Sequence, residues 1–128
     1  MAPLMTPIFD ELGYYCEQSL LKAWLADKKL EIVPLYMMRG RTFNNSFVIL
    51  DEAQNAHLPE LRMFLTRLGQ NSRMVLVGDL TQSDLLINQQ GAFKYLIEKL
   101  HDIVGVVKLE PRDIVRNELI AKIEERLA

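Results

Sequence analysis

A chain of 128 residues with 49% hydrophobic content is the size of one domain and can bury a core of its own. A formal net charge of −2 argues against a general electrostatic pull toward nucleic acid, and the single cysteine excludes an internal disulfide, so a reducing, cytoplasmic setting is expected. No stretch approaches the ~20 apolar residues of a membrane-spanning helix and no signal peptide opens the chain, so no membrane partner is expected.

Residues 7–27 carry apolar side chains at helical spacing (Ile8, Leu12, Tyr15, Cys16, Leu20, Ala23, Trp24), with Gly13 as the place where that helix weakens or splits. A short apolar strand is expected over 31–35, ended by its proline. A loop follows over 37–45, with Arg39-Gly40-Arg41-Thr42 at its centre and Asn44-Asn45 as a turn signal. Phe47-Val48-Ile49-Leu50 is a continuous apolar run, the pattern of a strand covered on both faces of a parallel sheet.

A helix over 59–68 puts Leu61, Phe64, Leu65 and Leu68 on one face and stops at Gly69. A second apolar strand, 74–77, runs into Gly78-Asp79, where the glycine permits a sharp turn. Residues 91–100 form a helix with Phe93, Leu96, Ile97 and Leu100 inward, residues 104–109 a third strand, and residues 113–127 a final helix capped by Asp113. Strands alternating with helices give an α/β fold: a mostly parallel sheet flanked by helices. With no repeat or long linker, a single domain over 1–128 is expected.

Chemistry concentrates where two strands end. Asp51 and Glu52 follow the first apolar run, and Asp79, Thr81 and Gln82 follow the second. In open α/β sheets ligands bind just beyond such carboxyl ends. Adjacent acids there suit a metal–nucleotide site, with Asp51 holding Mg²⁺ and Glu52 aligning and deprotonating a water. Gln54 and Gln82 suit a γ-phosphate, because glutamine donates to phosphate oxygen and accepts from water at once. The plainer alternative is a pair of solvated loops, with Asp79 capping the next turn. Cys16, His57 and His101 show no metal-ligand spacing and are expected to be structural or surface residues.

Taken together these residues resemble the PhoH-like family, ATP-binding proteins related to the helicase branch of P-loop NTPases. The resemblance rests on five segments in order: Met38-Arg39-Gly40-Arg41-Thr42, the run from Phe47 to Asn55, the run from Met63 to Gly69, Val77-Gly78-Asp79-Leu80-Thr81-Gln82, and Asp113-Ile114-Val115-Arg116. Pro7-Ile8-Phe9-Asp10-Glu11-Leu12 is similar to a family helix lying between nucleotide motifs. The resemblance implies a partial RecA/helicase-like P-loop fold, with ATP and Mg²⁺ as cofactors. It makes Asp51 the metal ligand and Glu52 the catalytic base of a Walker B pair, with Gln54 completing the box. Asp79, Thr81 and Gln82 then form a motif that senses the γ-phosphate. Arg116 becomes a phosphate or subunit contact, the alternative for it being a surface ion pair; Arg39 and Arg41 receive no role.

One family feature is absent. The six glycines stand at 13, 40, 69, 78, 91 and 105, and none opens a Gly-x-x-x-x-Gly-Lys-Ser/Thr loop. That loop supplies the backbone cradle and lysine that grip the phosphates. The chain is therefore expected to correspond to a C-terminal part of the family core and to show little or no ATPase activity alone. The family's P-loop strand lies beside the strand ending at Asp79. Without it, the strands flanking the gap are expected to pair directly, a partner chain to cover the edge, or stability to suffer. Three functions are weighed: ATP hydrolysis, with or without coupling to RNA or DNA remodelling, with an upstream reading frame, a longer parent protein, a partner chain or a homo-oligomer supplying the loop; a non-catalytic remnant or oligomer assembly module of the same fold; and a nucleic-acid-binding piece, which scattered arginines support least.

Overall fold

The computed structural model describes residues 6–128, and these gather into two compact units. One comprises the described residues of Met1–Leu50 with Pro59–Leu76, the other Asp51–Leu58 with Val77–Ala128. The chain passes between them just after each strand, at Leu50/Asp51 and at Leu76/Val77.

In the first unit, α1 (Thr6–Tyr15) and α2 (Gln18–Ala26) replace the expected continuous helix. The break falls at Cys16–Glu17 rather than at Gly13, which stays inside α1. Glu17 turns extended as the N-cap of α2, whereas a single mid-helix glycine costs only about 1 kcal/mol and is tolerated. Leu21, not among the apolar positions singled out above, is the buried residue of α2.

Residues 31–35 form no strand. A strand needs a hydrogen-bonded neighbour, none is present for this segment among the described residues, and Pro34 withholds a donor. The chain instead turns into a 3-10 helix, Leu35–Met38, which buries Met38. Arg41 beyond it pairs with Glu31 at 2.9 Å and lies over the Phe43 ring at 4.8 Å.

Two strands, β1 (Phe47–Leu50) and β2 (Arg73–Leu76), pair in parallel with Phe47 opposite Arg73 and Leu50 opposite Leu76. Both are entered through the same dipeptide, Asn45-Ser46 and Asn71-Ser72, with each asparagine left-handed (φ 51° and 53°). Asn71 Nδ2 donates to Asn45 Oδ1 at 3.0 Å, and the Ser46 backbone amide donates to Ser72 Oγ at 3.0 Å. Asparagine tolerates the left-handed region better than most residues because its short side chain finds local partners.

The connection between the strands contains α3 (Leu58–Leu65). It ends before Leu68 because the following turn is drawn to Phe43, whose amide donates to the Arg67 carbonyl and whose carbonyl accepts from the Gly69 amide, both at 2.9 Å. A Cβ at Gly69 would run into that carbonyl, so the close backbone approach demands glycine. Leu61 and Phe64 on α3 are fully buried, with 0% and 1% of their surface exposed.

The expectation that β1 is covered on both faces is corrected: Phe47 is 66% exposed and Ile49 is also exposed, while Val48 and Leu50 are half-buried. β2 alternates the same way, so one face of this two-stranded ladder is bare among the described residues. The continuous apolar run reflects composition, not two-sided cover.

The second unit holds α4 (Ala92–Leu100), which packs on a 3-10 turn, Ala53–Asn55, and α5 (Glu118–Leu127), which packs on a 3-10 turn, Pro111–Asp113. Gly91 enters α4 at φ 94°, a conformation that only glycine adopts freely. Its core consists of Ala53, Gln54, Ala56 and Phe93.

The final helix is shorter than expected. Asp113 belongs to the preceding turn, where its carboxylate accepts from the Glu110 amide at 2.7 Å, and Asn117 caps α5 by accepting from the Leu119 amide at 3.0 Å. Residues 104–109 are not a strand. They join no ladder among the described residues, β2 pairs only with β1, and Val107 is 86% exposed. The strands on either side of the expected gap therefore do not pair directly. High β-propensity alone does not make a strand when no neighbouring backbone answers its hydrogen bonds. Among the described residues no helix is long and apolar enough to cross a membrane.

Candidate functional site

The site lies in the second unit, where the segments leaving β1 and β2 meet. The Ala53 amide donates to the Val77 carbonyl at 2.9 Å, extending the connection between the two segments beyond the last ladder pair. Asp51 and Glu52 are exposed. The Glu52 amide donates to Asp51 Oδ1 at 2.9 Å, and Glu52 itself is left-handed, at φ 53° and ψ 43°. A glutamate there carries a local conformational cost of order 1–3 kcal/mol, a pattern that recurs at functional sites.

Gln54 is buried, with 6% of its surface exposed, and both ends of its side-chain amide are engaged. Nε2 donates to Glu52 Oε2, while Oε1 accepts from the Asp79 amide at 3.1 Å. Its backbone carbonyl accepts from Ser83 Oγ at 3.2 Å. Gly78 does not use its conformational freedom here, since its φ is not positive. It is needed because an added Cβ would sit 2.6 Å from Gln54 Oε1.

Asp79 Oδ1 accepts from both the Thr81 amide at 2.8 Å and Thr81 Oγ1 at 2.6 Å. Those two bonds, the hydroxyl one first, hold its carboxyl below the usual carboxylate value, against a small opposing effect of burial. The sign follows from linkage. A group whose folded-state pKa is depressed lends its stabilisation at neutral pH and withdraws it as pH falls through the lowered value. The Thr81 amide resonance is accordingly expected to hold steady from neutral pH down to the ordinary aspartate range and to move only below it. Titration by NMR at the ordinary aspartate value would contradict the turn.

The structure thus brings Asp51, Glu52, Gln54, Asp79 and Thr81 into one hydrogen-bonded arrangement. Gln82 is exposed one residue further on, its amide donating to the Asp79 carbonyl at 3.3 Å. Arg116 is exposed ahead of α5, and among the described residues no hydrogen bond or ion pair ties it to the acids. No group of three or more His, Cys, Asp or Glu side chains that could hold a metal occurs among the described residues.

Sequence reasoning missed the anchors of the loop after Asp79. The Asp84 amide donates to Asn55 Oδ1 at 2.7 Å, and Asn55 Nδ2 returns a bond to Asp84 Oδ2 at 3.3 Å. The partners are 29 residues apart, so no local spacing announces them.

Comparison with known proteins identifies the family. The family model described as PhoH-like protein matches residues 1–128. A PhoH-like protein of Synechocystis sp. is 40% identical over 125 residues, covering 96% of this chain and 38% of the relative. The PhoH-like protein of Bacillus subtilis is 39% identical over 127 residues, covering 98% and 39%, and Protein PhoH of Escherichia coli is 39% identical over 122 residues, covering 92% and 34%. The chain therefore spans well under half the length of these relatives. Matched from its first residue to its last, the chain belongs to the PhoH-like family.

Proposed function

We propose that this chain carries the metal- and water-handling side of a Mg²⁺-dependent ATP-hydrolysing site. The observation that supports it best is the double engagement of Gln54, which joins the acid pair after β1 to the Asp79 loop after β2. Asp51 would hold Mg²⁺, whose charge offsets that of the phosphates when bound. Glu52 accepts a proton from the attacking water, a general-base contribution of ~10²–10⁴ in rate. Asp79 and Thr81 shape the loop that presents Gln82 toward the terminal phosphate, and Arg116 is the cation proposed for a phosphate or a subunit contact. Coupling to RNA or DNA remodelling belongs to the same proposal.

The grip on the phosphates has to come from a Gly-Lys loop on another segment or chain, because this sequence contains none. Calorimetry of the chain with Mg-ATP is expected to show no binding tighter than about millimolar, and micromolar binding once a segment bearing that loop is added. Micromolar affinity of the chain by itself would overturn the division of labour. A second reading, a non-catalytic assembly module, draws on the exposed Phe47 and Ile49 of one unit and Val107 and Leu109 of the other, which invite cover by a partner chain or a second copy. Cover without any gain in ATP binding would favour it.

A further inference from the structure

We infer that Gln54 is a positioning residue through which Glu52 and the Asp79 loop are coupled, so that whatever moves the Asp79 amide also moves the Glu52 carboxylate. The inference rests on the function proposed above and deepens it, by giving that site an internal relay.

The orientation of the relay is dictated by chemistry. A glutamine amide has a donor end and an acceptor end on one rigid plane. Glu52 offers only acceptor oxygens when ionised, and the Asp79 backbone offers only a donor. Turning the amide over would set N–H against N–H at Asp79 and oxygen against oxygen at Glu52. One arrangement alone satisfies both neighbours, and it is the one present.

Three further features make the side chain a lever rather than a tether. Gln54 is buried, with 6% of its surface exposed, so water competes little for its partners. Its own backbone is fixed on both sides, by the Ala53 amide on the Val77 carbonyl at 2.9 Å and by Ser83 Oγ on its own carbonyl at 3.2 Å. Gly78 leaves it room that any Cβ would take, at 2.6 Å from Oε1. Glu52, by contrast, is exposed, and Gln54 is the side chain that holds its carboxylate. The charge on Glu52 also polarises the amide and makes Oε1 the stronger acceptor, so the two bonds reinforce one another.

The test needs no nucleotide and uses the full chain. Amide hydrogen exchange at Asp79, followed by NMR, is compared in wild type, Glu52→Ala, Gln54→Met and the double variant. Methionine keeps the volume of Gln54 and removes both bonds. Loss of one such bond is expected to speed Asp79 exchange by about threefold to tenfold. Glu52→Ala should therefore speed it in the wild-type background and leave it unchanged in the Gln54→Met background. Gly78→Ala, which crowds the amide while sparing both carboxylates, should abolish the dependence in the same way and stands in if Gln54→Met does not fold.

An effect of Glu52→Ala that persists undiminished in Gln54→Met and Gly78→Ala, or no effect in any background, would overturn the relay. Because the measurement is made without ATP, its failure leaves the proposed hydrolytic role standing, and a failure of the calorimetry leaves the relay standing.

Discussion

Glu52→Gln is expected to slow ATP turnover by about 10²–10⁴-fold while leaving ATP binding within a factor of about two, when the chain acts beside a segment that bears the Gly-Lys loop. The substitution preserves size, and the new amide oxygen still accepts the bond that Gln54 Nε2 gives. Nor does it alter the left-handed backbone at this position, so the geometry around Asp51 is retained. What it removes is the basic lone pair. Single-turnover hydrolysis, read beside calorimetry on the same variant, separates the two contributions. Undiminished hydrolysis would strip Glu52 of the role of base and leave the acid pair as a purely structural turn.

Phe64→Ala is expected to destabilise the first unit by about 3–5 kcal/mol, the usual cost of emptying a buried aromatic site. Phe64 has 1% of its surface exposed, and with Leu61 it is one of the two largest fully buried side chains. Against a total of ~5–15 kcal/mol for a typical domain, such a loss leaves little margin. Phe47→Ala supplies the contrast: at 66% exposure it should change stability by no more than about 0.5 kcal/mol. Urea unfolding of both variants tests the pair. Equal effects would mean that the core of this unit is not where α3 places it.

These two residues also show what could be read in advance. The helix carrying Phe64 announces itself through helical periodicity and the two strands through short apolar runs, the second displaced by one residue from 74–77 to Arg73–Leu76; the acids that follow stand out by residue type. Residues 104–109 have the same β-branched composition and yet stay irregular, because a strand is a property of two segments and the second is not among the described residues. Phe47 and Ile49 mislead for a related reason: apolar residues on consecutive positions say that two faces could be covered, not that they are. At the site, residue types pointed to Asp51, Glu52 and Asp79, and the geometry joins them. Gln54 differs. The sequence places it beside a γ-phosphate, whereas its buried amide is committed to Glu52 and Asp79, so in the function proposed above its part runs through them. Only a contact between segments 25 residues apart could reveal that.

The twin Asn-Ser entries to β1 and β2 set the register of the ladder from its amino end. A ladder of four pairs has little of its own to resist sliding by a step, and in a strand one step swaps the faces. The cross-links between Asn45 and Asn71 and between Ser46 and Ser72 act as an indexing stop, fixing which rung of one rail meets which rung of the other. The meeting of Leu50 with Leu76 at the other end of the ladder, three steps of ~3.3 Å away, is thereby set by its first rung.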